Sequence, residues 1–208
     1  MSLLTPTSHS FSFLDPGPMI DGELELVEPA EHLVEEVLAS CRHPLTIRDM
    51  PVQARTSRDG LYQYLRNHPR GRTKEEPARG IVPAYAFWMR LRPQAFAPAR
   101  PPVPMAGGIG LRIGNGTNID LYFGHIGYHV FPPARGRHLA ERACRLVFTL
   151  ARAHGFRTLW ITCNPDNIPS RRTCERLGGV MVEIVPVPKD NSLYSQGDRE
   201  KCRYRVDI

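Results

Sequence analysis

The residues best equipped for chemistry lie close together past the middle of the chain. In Gly124-His125-Ile126-Gly127-Tyr128-His129-Val130-Phe131, two imidazoles and a phenol fall within five positions. An imidazole of ordinary pKa, about 6.5, can accept a proton at neutral pH. Strand alternation puts His125 and His129 on one face and Tyr128 on the other. After Pro132-Pro133 comes a basic turn, Arg135-Gly136-Arg137-His138-Leu139-Ala140, which feeds a helix. A strand that passes through such a turn into a helix aims main-chain N–H groups and the positive end of the helix dipole at one place, making an anion site. Farther along, Asn167 stands where a side chain caps a helix start. Ser170, Cys174 and Glu175-Arg176-Leu177-Gly178 follow it.

The periodicities supply the elements that must position these groups. His138 to His154 is the best helix in the chain, with Leu139, Ala143, Leu146, Val147 and Leu150 in one stripe and Glu141, Arg142, Arg145 and Arg152 facing away. Gly155 stops it. Thr158 to Cys163 is short and nearly all apolar, as in a strand buried on both faces. Residues 125–131, 138–154 and 158–163 therefore read as a β-α-β unit. The β-carbon at position 138 is expected to be tolerated because His138 has already entered helical φ/ψ. Ahead of the unit, Ala106–Ile113 is a strand, and Asn115-Gly116 signals a hairpin turn into the segment 119–131. Gly107-Gly108, Gly124 and Gly127 suit a bulge or a close backbone approach.

The rest of the chain reads as follows. Residues 1–22, rich in Ser, Pro and Gly, form a loosely held tail. Glu23–Val27 alternates as a strand, and a helix opens at Glu28-Pro29 with Leu33, Val34, Val37 and Leu38 at helical spacing. Asp59–Asn67 is a short helix and Arg70–Gly80 a charged loop. Pro83–Leu91 is a strand with Tyr85, Phe87, Met89 and Leu91 on one face and Ala84, Ala86, Trp88 and Arg90 on the other. The proline-rich stretch Arg92–Pro104 is a loop and candidate lid. Val180–Val187 and Lys201–Val206 close the sheet.

Bulk composition narrows the class. A chain of 208 residues with 41% hydrophobic content can bury one core. No window reaches the ~18 apolar residues that span a bilayer. The first residues lack the charged and apolar regions of a signal peptide, so the expected location is cytoplasmic. The five cysteines form no CxxC pair, which points to neither zinc nor a disulfide framework. The net charge of +6 is mostly arginine, scattered rather than stacked on one face, so nucleic-acid binding is disfavoured.

The turn at Arg135–Ala140 and the segment Asn167–Gly178, at this separation, resemble two motifs of the GNAT superfamily of acyltransferases. The first has the form Gln/Arg-x-x-Gly-x-Gly/Ala. Its middle glycine is His138 here, and Ala140 is an accepted last residue. In the second, Asn167, Ser170, Glu175, Arg176, Leu177 and Gly178 all match in register. The resemblance covers about Met105–Ile184. It implies an α/β (α+β) GNAT fold, with a mixed sheet of about six to seven strands, helices on both faces and splayed central strands. One acyltransferase domain would span 23–208, with its CoA-binding core at about 105–184.

The resemblance also implies roles. Acetyl-CoA, the acyl-donor substrate, would lie where strands 125–131 and 158–163 part, its pantetheine arm along His129, Val130 and Phe131. N–H groups of Gly136, Arg137, His138, Leu139 and Ala140 would hold the diphosphate, with charge from Arg135 and Arg137. Asn167 and Ser170 would stand on the pantetheine side. The family's acid, a tyrosine on the second helix, is Cys174 here, with Tyr128 as another candidate acid. The position of a glutamate base is His125, and Thr162 stands where other members carry a carboxylate. Tyr62, Tyr64 and His68 fall in the segment that covers the acceptor site. The implied function is N-acetylation of a small-molecule or peptide amine, without metal, membrane or nucleic-acid partners, with homodimerisation left open. The alternative is a catalytically silent GNAT domain that binds CoA or a protein partner.

Overall fold

The computed structural model describes residues 11–93 and 103–208. They build one mixed sheet of nine strands. The strands are β1 (Met19–Asp21), β2 (Leu24–Val27), β3 (Arg72–Thr73), β4 (Ala84–Leu91), β5 (Met105–Arg112), β6 (Ile126–Val130), β7 (Thr158–Cys163), β8 (Val180–Pro186) and β9 (Glu200–Asp207). Their order is β1-β2-β4-β5-β6-β7-β9-β8, and β3 pairs with the start of β4 along the same edge as β2. Every pair is antiparallel except β6 with β7. The sheet exceeds the expected strand count because β1 and β3 are only three and two residues long, too short to show alternation.

The helices are α1 (Val34–Cys41), α2 (Pro44–Asp49), α3 (Pro51–Ala54), α4 (Arg58–Asn67), α5 (Leu139–Ala153), α6 (Ile168–Arg176) and α7 (Ser192–Ser195). They lie on both faces of the sheet. On one face the α5 stripe Leu139, Ala143, Val147 and Leu150 packs with Tyr85, Phe87, Met89, Ile109, Leu111, Ile126 and Ile161. Strand alternation dictates this: β4 buries Tyr85, Phe87, Met89 and Leu91 fully and leaves Ala84, Ala86, Trp88 and Arg90 half-buried. On the other face α1 and α4 form a smaller cluster with Met105 and Phe131, against which Trp88 packs. Among the described residues no helix is long and apolar enough to cross a membrane.

Several expectations are corrected. Residues 11–22 are not loose. Phe13 packs against the main core, Leu14 N–H donates to Tyr85 Oη at 2.7 Å, and Met19–Asp21 pairs with β2. The return after Asn115-Gly116 is no tight hairpin, because Ile119–Phe123 forms a π-helical turn before β6 begins. Ile119 is buried there. The expected bulge is present: Met89 pairs with Gly107 and Arg90 with Met105, which leaves Ala106 as the extra residue. Most of the expected lid, residues 94–102, lies outside the described residues.

Candidate active site

β6 and β7 are in parallel register only at Ile126 and Ile161. Just before that point the strands are locked. His125 N–H donates to Trp160 O at 2.6 Å, and Trp160 N–H donates to His125 Nδ1 at 2.9 Å. Gly124 permits this approach. Its φ is +67°, and a β-carbon there would lie 2.9 Å from Trp160 O. Beyond Ile126 the strands part. Arg112 N–H donates to His125 O, and Phe131 N–H donates to Ala106 O, so odd-numbered residues of β6 turn their main chain to β5. By alternation the main-chain groups of Tyr128 and Val130 face the gap. Val130 O accepts from Arg135 Nε at 3.1 Å.

At the C-terminal end of β6, Pro132–Ala134 makes a 3₁₀ turn, Gly136 takes φ +81°, and α5 starts at Leu139. No side chain caps α5, and its first internal bond runs from Arg142 N–H to His138 O at 3.0 Å. The N–H groups of Leu139, Ala140 and Glu141 therefore emerge unpaired by the helix. The expectation for His138 is overturned: it stands outside the helix in the left-handed conformation, φ +55° and ψ 23°, where the related motif carries glycine. Arg137 is also reassigned. Its guanidinium pairs with Glu23 at 3.1 Å, and Arg142 holds the same carboxylate at 2.8 Å. The hydrogen bond from Arg142 draws the Glu23 pKa down to about 2. Arg135 is exposed at the turn.

The side chains expected to do chemistry separate sharply. His125 is 1% exposed. Its Nδ1 accepts from Trp160 N–H, so Nε2 carries the proton and donates to Asn115 Oδ1 at 3.2 Å. Burial lowers its pKa. A ring with both nitrogens committed inside the core has none for a substrate, which removes His125 as base. Cys174 is fully enclosed, with Cys144, Cys163 and Tyr128 around it, and its thiol pKa is pushed far up by hydrogen bonding to Cys163 and by burial. It packs rather than donates. Tyr128 reaches α6 across the gap: its Oη lies 2.8 Å from Ser170 Oγ, and burial holds the phenol protonated. Asn167 Oδ1 accepts from Ser170 N–H at 3.2 Å, the expected cap.

On the opposite face from α5, the sheet floors a cavity of about 1140 Å³. The floor is nearly free of side chains, being made by Ala84, Ala86, Gly108, Gly110 and Gly127. Tyr64 lines it; Tyr62 and His68 do not, and His68 instead meets Thr73 Oγ1 at 3.2 Å. His129 projects into the cavity. Its ring is open on the cavity side, and the protein closing it in elsewhere lowers its pKa by desolvation. It stacks edge-on to Phe131 at 5.3 Å, and neither nitrogen meets a protein hydrogen-bond partner among the described residues. Sequence reasoning assigned His129 only a main-chain role. Its shared face with His125 was the available signal. Among the described residues no group of His, Cys, Asp and Glu converges to hold a metal ion.

Residues 23–180 match a family model described as acetyltransferase (GNAT) domain. No curated protein sequence matches the chain. Solved structures share the fold at low identity. One is the microcin C7 self-immunity acetyltransferase MccE, in complex with acetyl-CoA and AMP, at 15% identity and TM-score 0.62 over 90% of this chain and 94% of that one. A putative ribosomal-protein-serine acetyltransferase from Vibrio cholerae reaches 15% and 0.61 over 94% and 100%. RimL, a ribosomal L7/L12 alpha-N-protein acetyltransferase in complex with coenzyme A, reaches 19% and 0.59 over 92% and 98%.

Proposed function

We infer that this chain, which belongs to the GNAT acetyltransferase family, moves an acetyl group from acetyl-CoA to an amine by direct transfer. One observation carries the reading. The uncapped first turn of α5 opens beside two strands that part beyond Ile126 and Ile161. Unpaired N–H groups at a helix start suit a diphosphate, and an unpaired strand edge suits an extended amide chain such as pantetheine. In this reading Gly136 to Ala140 bind the diphosphate through main-chain N–H, and Arg135 adds charge. The main chain of Tyr128 and Val130, which faces the gap, receives the arm, while that of His129 and Phe131 is turned to β5; exposed Asn167 stands on the same side.

Acetyl-CoA supplies the activated carbonyl, and the chain's own residues handle the amine and the protons. Neutral His129 accepts the proton that the amine loses as its nitrogen bonds to the carbonyl carbon. When the C–S bond breaks, its electron pair goes to sulfur, and Tyr128 delivers a proton there. The cavity floored by glycine admits the acceptor, a small-molecule or peptide amine. The related structures act on acceptors of different kinds by name, which supports breadth in the family rather than one substrate. A second reading, a silent domain that binds CoA or a protein partner, is favoured by the enclosure of Cys174 at the tyrosine position.

Thermal unfolding with and without acetyl-CoA, followed by thiol detection over an amine panel, tests both. Ligand at about 100 times its Kd stabilises by roughly 2.7 kcal/mol, and amine-dependent thiol release should follow. Stabilisation without thiol release supports a silent CoA-binding domain, and no stabilisation at all sinks the transferase and leaves only a silent domain that binds a protein partner.

A further inference from the structure

Arg112, at the end of β5, has no part in the chemistry above. Its side chain crosses the cavity floor over Gly127, where a β-carbon would sit 3.5 Å from Nη1 and 3.8 Å from Nη2. Nη1 donates to Phe123 O at 3.3 Å and Gly124 O at 3.1 Å. The guanidinium carbon lies 5.7 Å from the centroid of the Phe123 ring. Nε and Nη2 donate to no described protein atom, and no described carboxylate pairs with the cation. Four other arginines drawn into this fold are paired with carboxylates: Arg72 with Glu28, Arg90 with Glu36, Arg142 with Asp21 and Glu23, and Arg203 with Glu183. Half-buried Arg171 lies on Tyr204 Oη and Pro165 O, away from the cavity. An enclosed charge without a partner is costly. Arg112 accepts that cost beside the space where the acceptor enters.

The floor explains what could reach it. The His129 ring lies over Gly108 and the Arg112 guanidinium over Gly127, and Gly110 puts no side chain between them. Positions 127 and 129 are roughly 6–7 Å apart along a strand. A ligand with its amine at His129 can therefore carry an anion to the guanidinium over Gly127. Arg79, also lining the cavity, is already held by Glu76 at 2.9 Å. Asp190 lines the cavity too and repels an anion from its own side.

We propose that Arg112 selects the acceptor, which is an amine that also bears an anionic group, carboxylate or phosphate. This rests on the acetyltransferase reading above. Both groups present paired oxygens that match the planar guanidinium fork.

The test is steady-state kinetics on wild type, Arg112→Ala and Arg112→Lys. The acceptors are γ-aminobutyrate and a glutamyl dipeptide (carboxylate), phosphoethanolamine (phosphate), and butylamine and the glutaminyl dipeptide amide (neutral). Wild type should prefer the anionic amines, and the ranking of carboxylate against phosphate identifies the source. Arg112→Ala should raise KM for anionic amines roughly 10- to 100-fold, leave KM for neutral amines and acetyl-CoA little changed, and be partly rescued by lysine. No anionic preference in wild type, or equal losses on neutral and anionic amines, overturns the proposal. Equal losses with a lowered Tm would mark Arg112 as a prop for the 123–124 carbonyls. Should no amine release thiol, the transferase reading fails separately. Calorimetry of γ-aminobutyrate and phosphoethanolamine then decides: binding lost in Arg112→Ala supports the anion site, and binding by neither protein or equally by both refutes it.

Discussion

His125 and His129 stand four positions apart on one strand and have opposite fates. One ring is spent on Trp160 and Asn115 in the core, and the other opens into the cavity, its nitrogens meeting no protein partner among the described residues. Burial lowers the pKa of His129, so the ring is neutral at pH 7 and ready to accept a proton. Acidification below about pH 6.5 protonates it, so kcat/KM should show an acid limb there. His129→Gln should abolish that limb and lower kcat by about 10²- to 10³-fold. Stabilisation by acetyl-CoA should persist if, as proposed, the cofactor is held by main-chain groups. His125→Gln should act the other way, lowering Tm through lost packing and hydrogen bonds. An acid limb that survives in His129→Gln would remove His129 as the base.

At the scale of elements, the junction between β6 and α5 holds the key strain. His138 adopts the left-handed conformation that disfavours a β-carbon by roughly 1–2 kcal/mol, and among the described residues its side chain makes only a distant pairing, Nδ1 to Glu141 Oε2 at 3.8 Å. His138→Gly should relieve part of this. We expect a gain of about 1 kcal/mol, or roughly 2–4 °C in Tm for a chain of this size. Affinity for acetyl-CoA should hold or improve under the proposal that the turn binds through N–H groups. A fall in Tm would mean that the imidazole stabilises the turn by a contact stronger than its distance suggests.

The whole molecule should be sensitive to acid in two stages. His125 and His154 both have pKa values lowered by burial. Below about pH 6.5 the unfolded chain binds protons that the folded chain resists, so stability is full above that value and declines beneath it. Glu23 behaves with the opposite chemistry and the same sign. Its folded pKa is about 2 against 4.5 unfolded, so its contribution is present above 4.5 and fades as pH falls toward 2. That second loss should be modest, because the carboxylate is partly open to solvent. Glu23 nevertheless joins the front strands to α5, through Arg137 and Arg142. Thermal unfolding from pH 7.5 to 3 should record both declines, the first shallower in His125→Gln. A flat Tm between pH 7 and 5 would contradict the histidine assignments.

The sequence by itself determined the β-α-β unit of 125–131, 138–154 and 158–163, the amphipathic α5 with its stop at Gly155, the Asn167 cap and the motif that marks the family. Periodicity, caps and turn residues are properties of neighbouring positions, so a local reading reaches them. Tertiary structure alone decided which histidine is open, why Cys174 is closed, and that Arg137 is spoken for by Glu23, 114 positions away. It also decided the left-handed backbone of His138 and the Arg112 guanidinium over Gly127. Each depends on which distant segment arrives beside a residue, and burial and pairing set its pKa and reach.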